Sequence, residues 1–219
     1  MNKKKVIYGE YALLIALCLN SFGVELQVKS GFGVSCISSV SYALSHVFPA
    51  LSFGTWNYLV QIFTLLALVA YTKEWKKGHL VSMGLSVAFG NLLDVYAAIL
   101  PAPQGLLSRG ICYCVGFLTV CFSVWMLQRC LLPILPFDEF TRDMSDFCHV
   151  AFRPFKTGFD VFCLTLTLVI SLLGLGHLVG VGAGTFISAF CTGTVVAAVG
   201  KIMDQKCQFR LHRLSKRLA

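Results

Sequence analysis

The sequence predicts an all-α polytopic membrane protein: six transmembrane helices plus two short amphipathic or re-entrant helices, in an inverted repeat of two three-helix halves. Three observations predict it. The chain of 219 residues is 57 % apolar and only 13 % charged, where a soluble domain is typically about 25 % charged, and its mean hydropathy is +0.76. Several windows of roughly 20 residues lack charge, the length that spans a hydrocarbon core. Two further segments, 31–49 and 135–154, have the period of an amphipathic helix.

The spans fall at 6–28, 54–72, 80–100, 106–128, 158–177 and 183–203. The first has the basic start and apolar run of a signal peptide. It lacks a small-x-small cleavage site and reads as a retained span. After it comes "GFGVSCISSVSYALSHVFP", residues 31–49, with no acidic or basic side chain. Ile37, Val40, Leu44, Val47 and Leu51 form one helical stripe, with Ser38, Ser41 and Ser45 opposite and Ser35 placed to cap the start. Hydroxyls rather than charges on the polar face suit a cavity lined by protein. The second segment, "LPFDEFTRDMSDFCHVAFRP" at 135–154, puts Phe137, Phe140, Met144, Phe147 and Ala151 on one face. Asp138, Glu139, Arg142, Asp143, Asp146 and His149 fill the other, the pattern of a helix lying in the membrane interface.

Charge placement decides whether 31–49 crosses. If it does not, every lysine and arginine except Lys29 and Arg109 shares one side with both termini. If it does, the patches split between the two sides. The positive-inside rule selects six spans with both termini cytoplasmic. Each half then holds an odd number of spans, so the halves are inverted. The first covers 1–100, with its short helix at 34–49; the second covers 101–204, with its amphipathic helix at 137–152; 205–219 is a basic cytoplasmic tail. Short likenesses near an offset of 100 accompany this order, such as "SFGV" at 21–24 and "CFSV" at 121–124.

The net charge of +8 does not indicate nucleic acid, because the basic residues flank apolar spans and no nucleic-acid motif accompanies them. The tail "KCQFRLHRLSKRLA" reads as a helix on anionic lipid. The ten cysteines lack metal-ligand spacing and read as packing residues. No cofactor or metal is expected. No nucleophile elbow, zinc-protease motif or Walker motif occurs, so no enzymatic activity is expected.

"LNSFGVELQVKSGFGVSCISSVSYALSHVFPALSFGTWNYLVQ" (19–61) and "VGVGAGTFISAFCTGTVV" (179–196) resemble the YczE/YitT-like bacterial membrane proteins. The resemblance runs in order along most of the chain and is loosest over 100–157. Cys36 and Ser41 stand where members typically carry proline. The resemblance implies a bacterial inner (cytoplasmic) membrane protein and names no substrate.

Inverted repeats with Gly- or Pro-interrupted segments point to a secondary transporter or channel. The expected function is a small secondary transporter or permease for a polar or weakly amphipathic solute bound between the halves. The alternative is a non-transporting membrane scaffold acting on another enzyme or export system. The bilayer, an unidentified solute and a second copy of the chain are the expected partners. Ser38, Ser45, Asn57, Gln61, Asn91, Asp94, Thr185 and Ser188 are the expected solute-binding residues. Asp94, Asp160 and Glu25 are the expected proton- or ion-coupling residues, since ionisable groups within spans are costly unless used. Each has a plainer reading. Asp94 can make an interhelical hydrogen bond or pair with Arg109. Glu25 can pair with Lys29 one turn on, Asp160 can be a first-turn acid, and the Thr185–Thr192 hydroxyls can be helix contacts.

Overall fold

The computed structural model describes residues 5–210. Eight helices run in order: α1 (Gly9–Ser30), α2 (Cys36–Val47), α3 (Phe53–Thr72), α4 (Gly78–Ile99), α5 (Leu106–Arg129), α6 (Pro136–Phe147), α7 (Phe152–Leu175) and α8 (Ala183–Lys206). All but α2 and α6 are long and apolar enough to cross a membrane. At 12 residues each, α2 and α6 are about 18 Å long, too short for a hydrocarbon core of about 30 Å. The six-span, two-short-helix architecture is therefore present.

The bundle is built around α1 and α5. In each, 56 % of the apolar window is buried, against 28 % in the other four spans. Small residues set this contact. A Cβ on Gly23 would lie 2.8 Å from the Gly116 carbonyl oxygen, and one on Gly116 would lie 2.7 Å from that of Gly23. Backbones that approach so closely need glycine on both sides. The outer spans turn side chains such as Phe63, Leu80 and Leu173 outward, as lipid-facing surface requires.

Most of the remaining helix contacts come in matching sets. Besides the α1–α5 pair, α2 packs on α7 and α6 on α3; α3 packs on α4 and α7 on α8; α1 packs on α4 and α5 on α8; α2 packs on α8 and α6 on α4.

The two short helices sit toward opposite ends of the bundle. The loop before α2 is held by the start of α8 and the loop that precedes it: Val34 N–H donates to the Gly180 carbonyl (3.0 Å), and Gly184 N–H to that of Phe32 (2.9 Å). These bonds satisfy non-helical backbone that lipid could not. Gly33, at φ +111°, is pressed against Thr185 and the Gly182 amide, so no side chain fits there. Pro136 opens α6 in its first turn, where a missing N–H costs nothing. At its far end Lys76 bridges to Asp143 at 3.2 Å.

At that same end, a four-residue strand β1 (Lys5–Tyr8) pairs in parallel with β2 (Cys207–Arg210). The two ends of the described residues therefore meet on one side of the bundle, as an even number of crossings demands. Two expectations change here. Residues 207–210 form a strand rather than a helix on lipid, because their backbone groups pair with β1. The rest of the tail, 211–219, lies outside the described residues. Nor does α6 lie in the interface with its acids in water. Asp138 and Glu139 are buried and Phe147 is exposed, so the first turn of α6 enters the protein.

Candidate functional site

A cavity of about 60 Å³ lies in the middle of the bundle, and every helix lines it. The first turns of α2 (Cys36, Ile37, Ser38) and α6 (Phe137, Asp138) enter it from opposite ends. Around them stand Asn20 and Gln27 of α1, Gln61 of α3, Phe117 of α5, Lys156 and Asp160 of α7, and Ser188 and Thr192 of α8. By volume the cavity has room for a few waters or one small solute.

Positions that face it recur at nearly constant offsets. α2 begins at Cys36 and α6 at Pro136; Ile37 and Phe137 both line the cavity, as do Ser38 and Asp138. On α3, Gln61 donates its Nε2–H to Asn57 Oδ1 at 2.7 Å, one turn away. On α7, Lys156 Nζ donates to Asp160 Oδ1 at 2.5 Å, again one turn away. A neutral amide pair on one wall thus faces an ion pair on the other, with all four side chains buried.

Several of these polar groups are unmet among the described residues. Gln27 is wholly buried, and neither its amide nitrogen nor its carbonyl oxygen has a partner among the described residues. Gln61 Oε1 and Asn57 Nδ2 are likewise unpaired. The Asp138 carboxyl, on a residue 7 % exposed, has neither a hydrogen bond nor an ion pair among the described residues. An unmet buried polar group costs about 1–3 kcal/mol, more if charged, so such a cluster is expected to hold water or a ligand. Burial pushes the Asp138 carboxyl up to about 6; Lys156 and Arg142 oppose that rise and Asp160 adds to it.

The expected site residues divide into two groups. Ser38, Gln61, Ser188 and Asp160 line the cavity, and Asn57 stands behind Gln61. Asp160 is not a first-turn acid, because α7 begins at Phe152, two turns earlier. The others lie elsewhere. Ser45 donates to the Tyr42 carbonyl in its own helix (2.8 Å). Asn91 is exposed on the outside of α4. Thr185 Oγ1 accepts from Gly182 N–H and bonds the Gly180 carbonyl, each at 3.2 Å, closing the start of α8. Glu25 is buried outside the cavity lining, and Lys29 reaches past it to the Ala97 carbonyl at 2.8 Å. Ser35 makes no cap to α2; its hydroxyl donates to Ser38 Oγ at 3.4 Å.

Asp94 fastens two helices together. Its carboxylate accepts from Ser52 Oγ at 2.6 Å and from Gly54 N–H at 2.9 Å, so it caps α3 from α4. Ser52, the N-cap of α3, also accepts from Thr55 N–H at 3.1 Å. Arg109 does not pair with Asp94; it donates to the Ser30 carbonyl at 2.6 Å and stacks over Phe32. Asp94→Asn is expected to lower stability by about 1–2 kcal/mol, read as a fall in thermal midpoint, with solute binding retained. Unchanged stability with lost binding would contradict this assignment.

Asp138, Lys156, Asn20, Gln27 and Thr192 complete the site, although sequence reasoning did not put them in the expected set. For Asp138 a signal existed, since the offset of 100 applied to Ser38 points to it. The same displacement less one residue carries Asn57 to Lys156 and Gln61 to Asp160. For Gln27, at the end of a span beside Lys29, the sequence held no signal.

No solved structure matches the chain. An uncharacterised protein of Bacillus subtilis (strain 168), YyaS, is 24 % identical over 218 residues, covering 97 % of each chain. A family described as of unknown function, DUF6198, matches residues 7–201. On that match, which takes in five spans, both short helices and most of α8, the chain belongs to the DUF6198 family.

Proposed function

We propose that the protein is a small secondary transporter or permease whose solute site is the central cavity. The carrying observation is a cavity between the starts of two half-length helices, lined by the Gln27 amide, the Gln61 carbonyl oxygen and the Asp138 carboxyl, which have no hydrogen-bond partner among the described residues. Such helices, entering from opposite ends and meeting near the middle, are how membrane carriers place polar ligands at depth. Each half would supply three spans and one short helix, and rocking of the halves about the α1–α5 contact would open the cavity to either side. The matching contacts and recurring lining positions support reading 1–100 and 101–204 as inverted repeats. We place both termini in the cytoplasm of a bacterial cell, the protein in its inner membrane, and a likeness among the YczE/YitT-like proteins. Among the described residues, the end that carries the strands holds nearly all the basic side chains, which supports that orientation.

The test is a thermal-shift screen of small polar metabolites on the purified protein, repeated with Gln61→Leu. A solute present at 100 times its Kd would stabilise the folded state by about 2.7 kcal/mol. At least one solute is expected to stabilise the wild type, with a weaker effect on Gln61→Leu. No stabilising solute would sink the permease reading and favour the scaffold.

A further inference from the structure

Two carboxyls line the cavity, and they are not equivalent. Asp160 is held by the Lys156 ammonium at 2.5 Å, so its charge is already answered. Asp138 faces the same space with no partner among the described residues. We propose that the Asp138 carboxyl is the exchange site of the cavity, holding in turn a proton and a small cation rich in N–H donors, of the ammonium, alkylammonium or guanidinium type. This rests on reading the cavity as a transport site.

Charge and hydrogen-bond type both point to that ligand. The formally charged groups on the lining are Asp138, Asp160 and Lys156, which leaves one carboxylate uncompensated. The groups facing Asp138 from the elements packed on α6 do not change this. From α7 come Lys156 and Asp160. α3 carries no charged residue and brings Gln61 and Asn57. The charged residues of α5 lie only at its ends, Arg109 and Arg129, with Arg129 paired to Asp204 at 2.6 Å. From α4 comes His79, whose Nδ1 lies 3.3 Å from Glu139 Oε1. Within α6, Arg142 is bonded to Asp143 at 2.8 Å.

Beyond charge, the unmet side-chain groups are rich in acceptors. Both Asp138 oxygens and the carbonyls of Gln27 and Gln61 are open, so a ligand carrying several N–H groups can satisfy them together. The start of α2 carries a partial positive charge and would favour an anion, but a helix end supplies about half a charge against the full charge of a carboxylate. The volume of about 60 Å³ limits the ligand to a few heavy atoms.

The exchange balances. Protonated Asp138 meets the cation, the O–H bond breaks, the proton leaves to water, and the carboxylate pairs with the cation. The return step carries the proton in the opposite direction. The Asp138 carboxylate carries one exchangeable cation, a proton or the ligand, in either state, and with Lys156 and Asp160 paired the net charge of the lining is zero in both, so each cation is exchanged for one proton.

Binding and transport are tested separately, on the full chain. Purified protein is titrated with guanidinium chloride and with methylammonium chloride. Tetramethylammonium chloride, a cation without N–H groups, and sodium nitrate, a small anion, serve as comparisons. The first two are expected to bind at pH 8 at millimolar levels or below, and at least tenfold more weakly at pH 5. About one proton should be released per cation in weak buffer near pH 5, about half near pH 6, and none near pH 8. Asp138→Asn should lose at least tenfold in affinity and release no proton. Should that variant fail to fold, Gln27→Leu and the proton count on wild type decide the matter. Binding of nitrate in preference to the cations, equal binding of tetramethylammonium, or undiminished affinity in folded Asp138→Asn would overturn the inference.

Flux into proteoliposomes separates the two claims. A cation that binds with proton release but is not carried would leave the exchange site standing and remove the permease. A different solute that is carried without cation binding would do the reverse.

Discussion

Replacing Lys156 with methionine is expected to destabilise the protein by about 3–5 kcal/mol, among the largest effects of any single substitution in the bundle. Lys156 and Asp160 are 5 % and 2 % exposed, and their bond is the only interaction that answers the Asp160 charge among the described residues. Removing the ammonium leaves a carboxylate in a low-dielectric wall, where an unpaired ion costs far more than a paired one returns. The sign of the effect in a double replacement is more telling. Lys156→Met with Asp160→Leu removes both charges together, and buried pairs replaced by apolar groups are often neutral in stability. The double variant is therefore expected to regain most of the loss, measured by reversible unfolding in mixed micelles. If it is as unstable as Lys156→Met alone, the pair does not carry the coupling claimed for it.

Gly116→Val is expected to cost about 3 kcal/mol, the upper end of overpacking, and to lower the yield of folded protein. The atoms that block a side chain here are backbone and Cβ: the Gly23 carbonyl oxygen at 2.7 Å, Leu26 Cβ at 2.9 Å and Gln27 N at 3.2 Å. None can rotate away, so α1 and α5 must separate. Gln27 would then move with the helix wall it belongs to, and the cavity would deform. Gly84→Val is the control, because a Cβ there meets nothing within 4 Å. Equal midpoints for the two variants would show that the α1–α5 contact is not the close-packed axis described above.

Much of the architecture was legible because lipid imposes it. Six apolar windows follow from hydropathy, and positive-inside placement keeps the hydroxyl-rich segment 31–49 from being a seventh. The serine face of α2 also reads correctly at Ser38 and Ser41, since hydroxyls without charge imply contact with protein. α6 misleads for the opposite reason. Its first turn is acidic, and formal charge ordinarily means water, yet Asp138 and Glu139 are buried. The periodicity identifies the helix but not which of its faces meets the core.

Asp94 misleads in another way. An acid within a span is a functional suspect because burial is costly, but Asp94 meets that cost by capping α3, a contact between residues 40 apart in sequence. Lys156 was counted among the charges that orient the chain, and only the fold shows it turned inward to Asp160. The periods of single helices carry none of this. The internal offset carries some of it, because Ser38 marks Asp138 and Gln61 marks Asp160 once the two halves are laid over each other.

The central claim is that the middle of the bundle is a wet, ligand-accepting cavity rather than packed interior. Radiolytic hydroxyl labelling of the native protein, resolved by residue, tests it most directly. Leu135 lines the cavity and is 2 % exposed; Leu65, Leu93 and Leu127 are equally buried, at 0 %, 0 % and 1 %, but lie outside the lining. A leucine is labelled where water stands beside it, so Leu135 is expected to react several times faster than the other three. A rate for Leu135 no higher than theirs would mean a dry core, and would contradict the account.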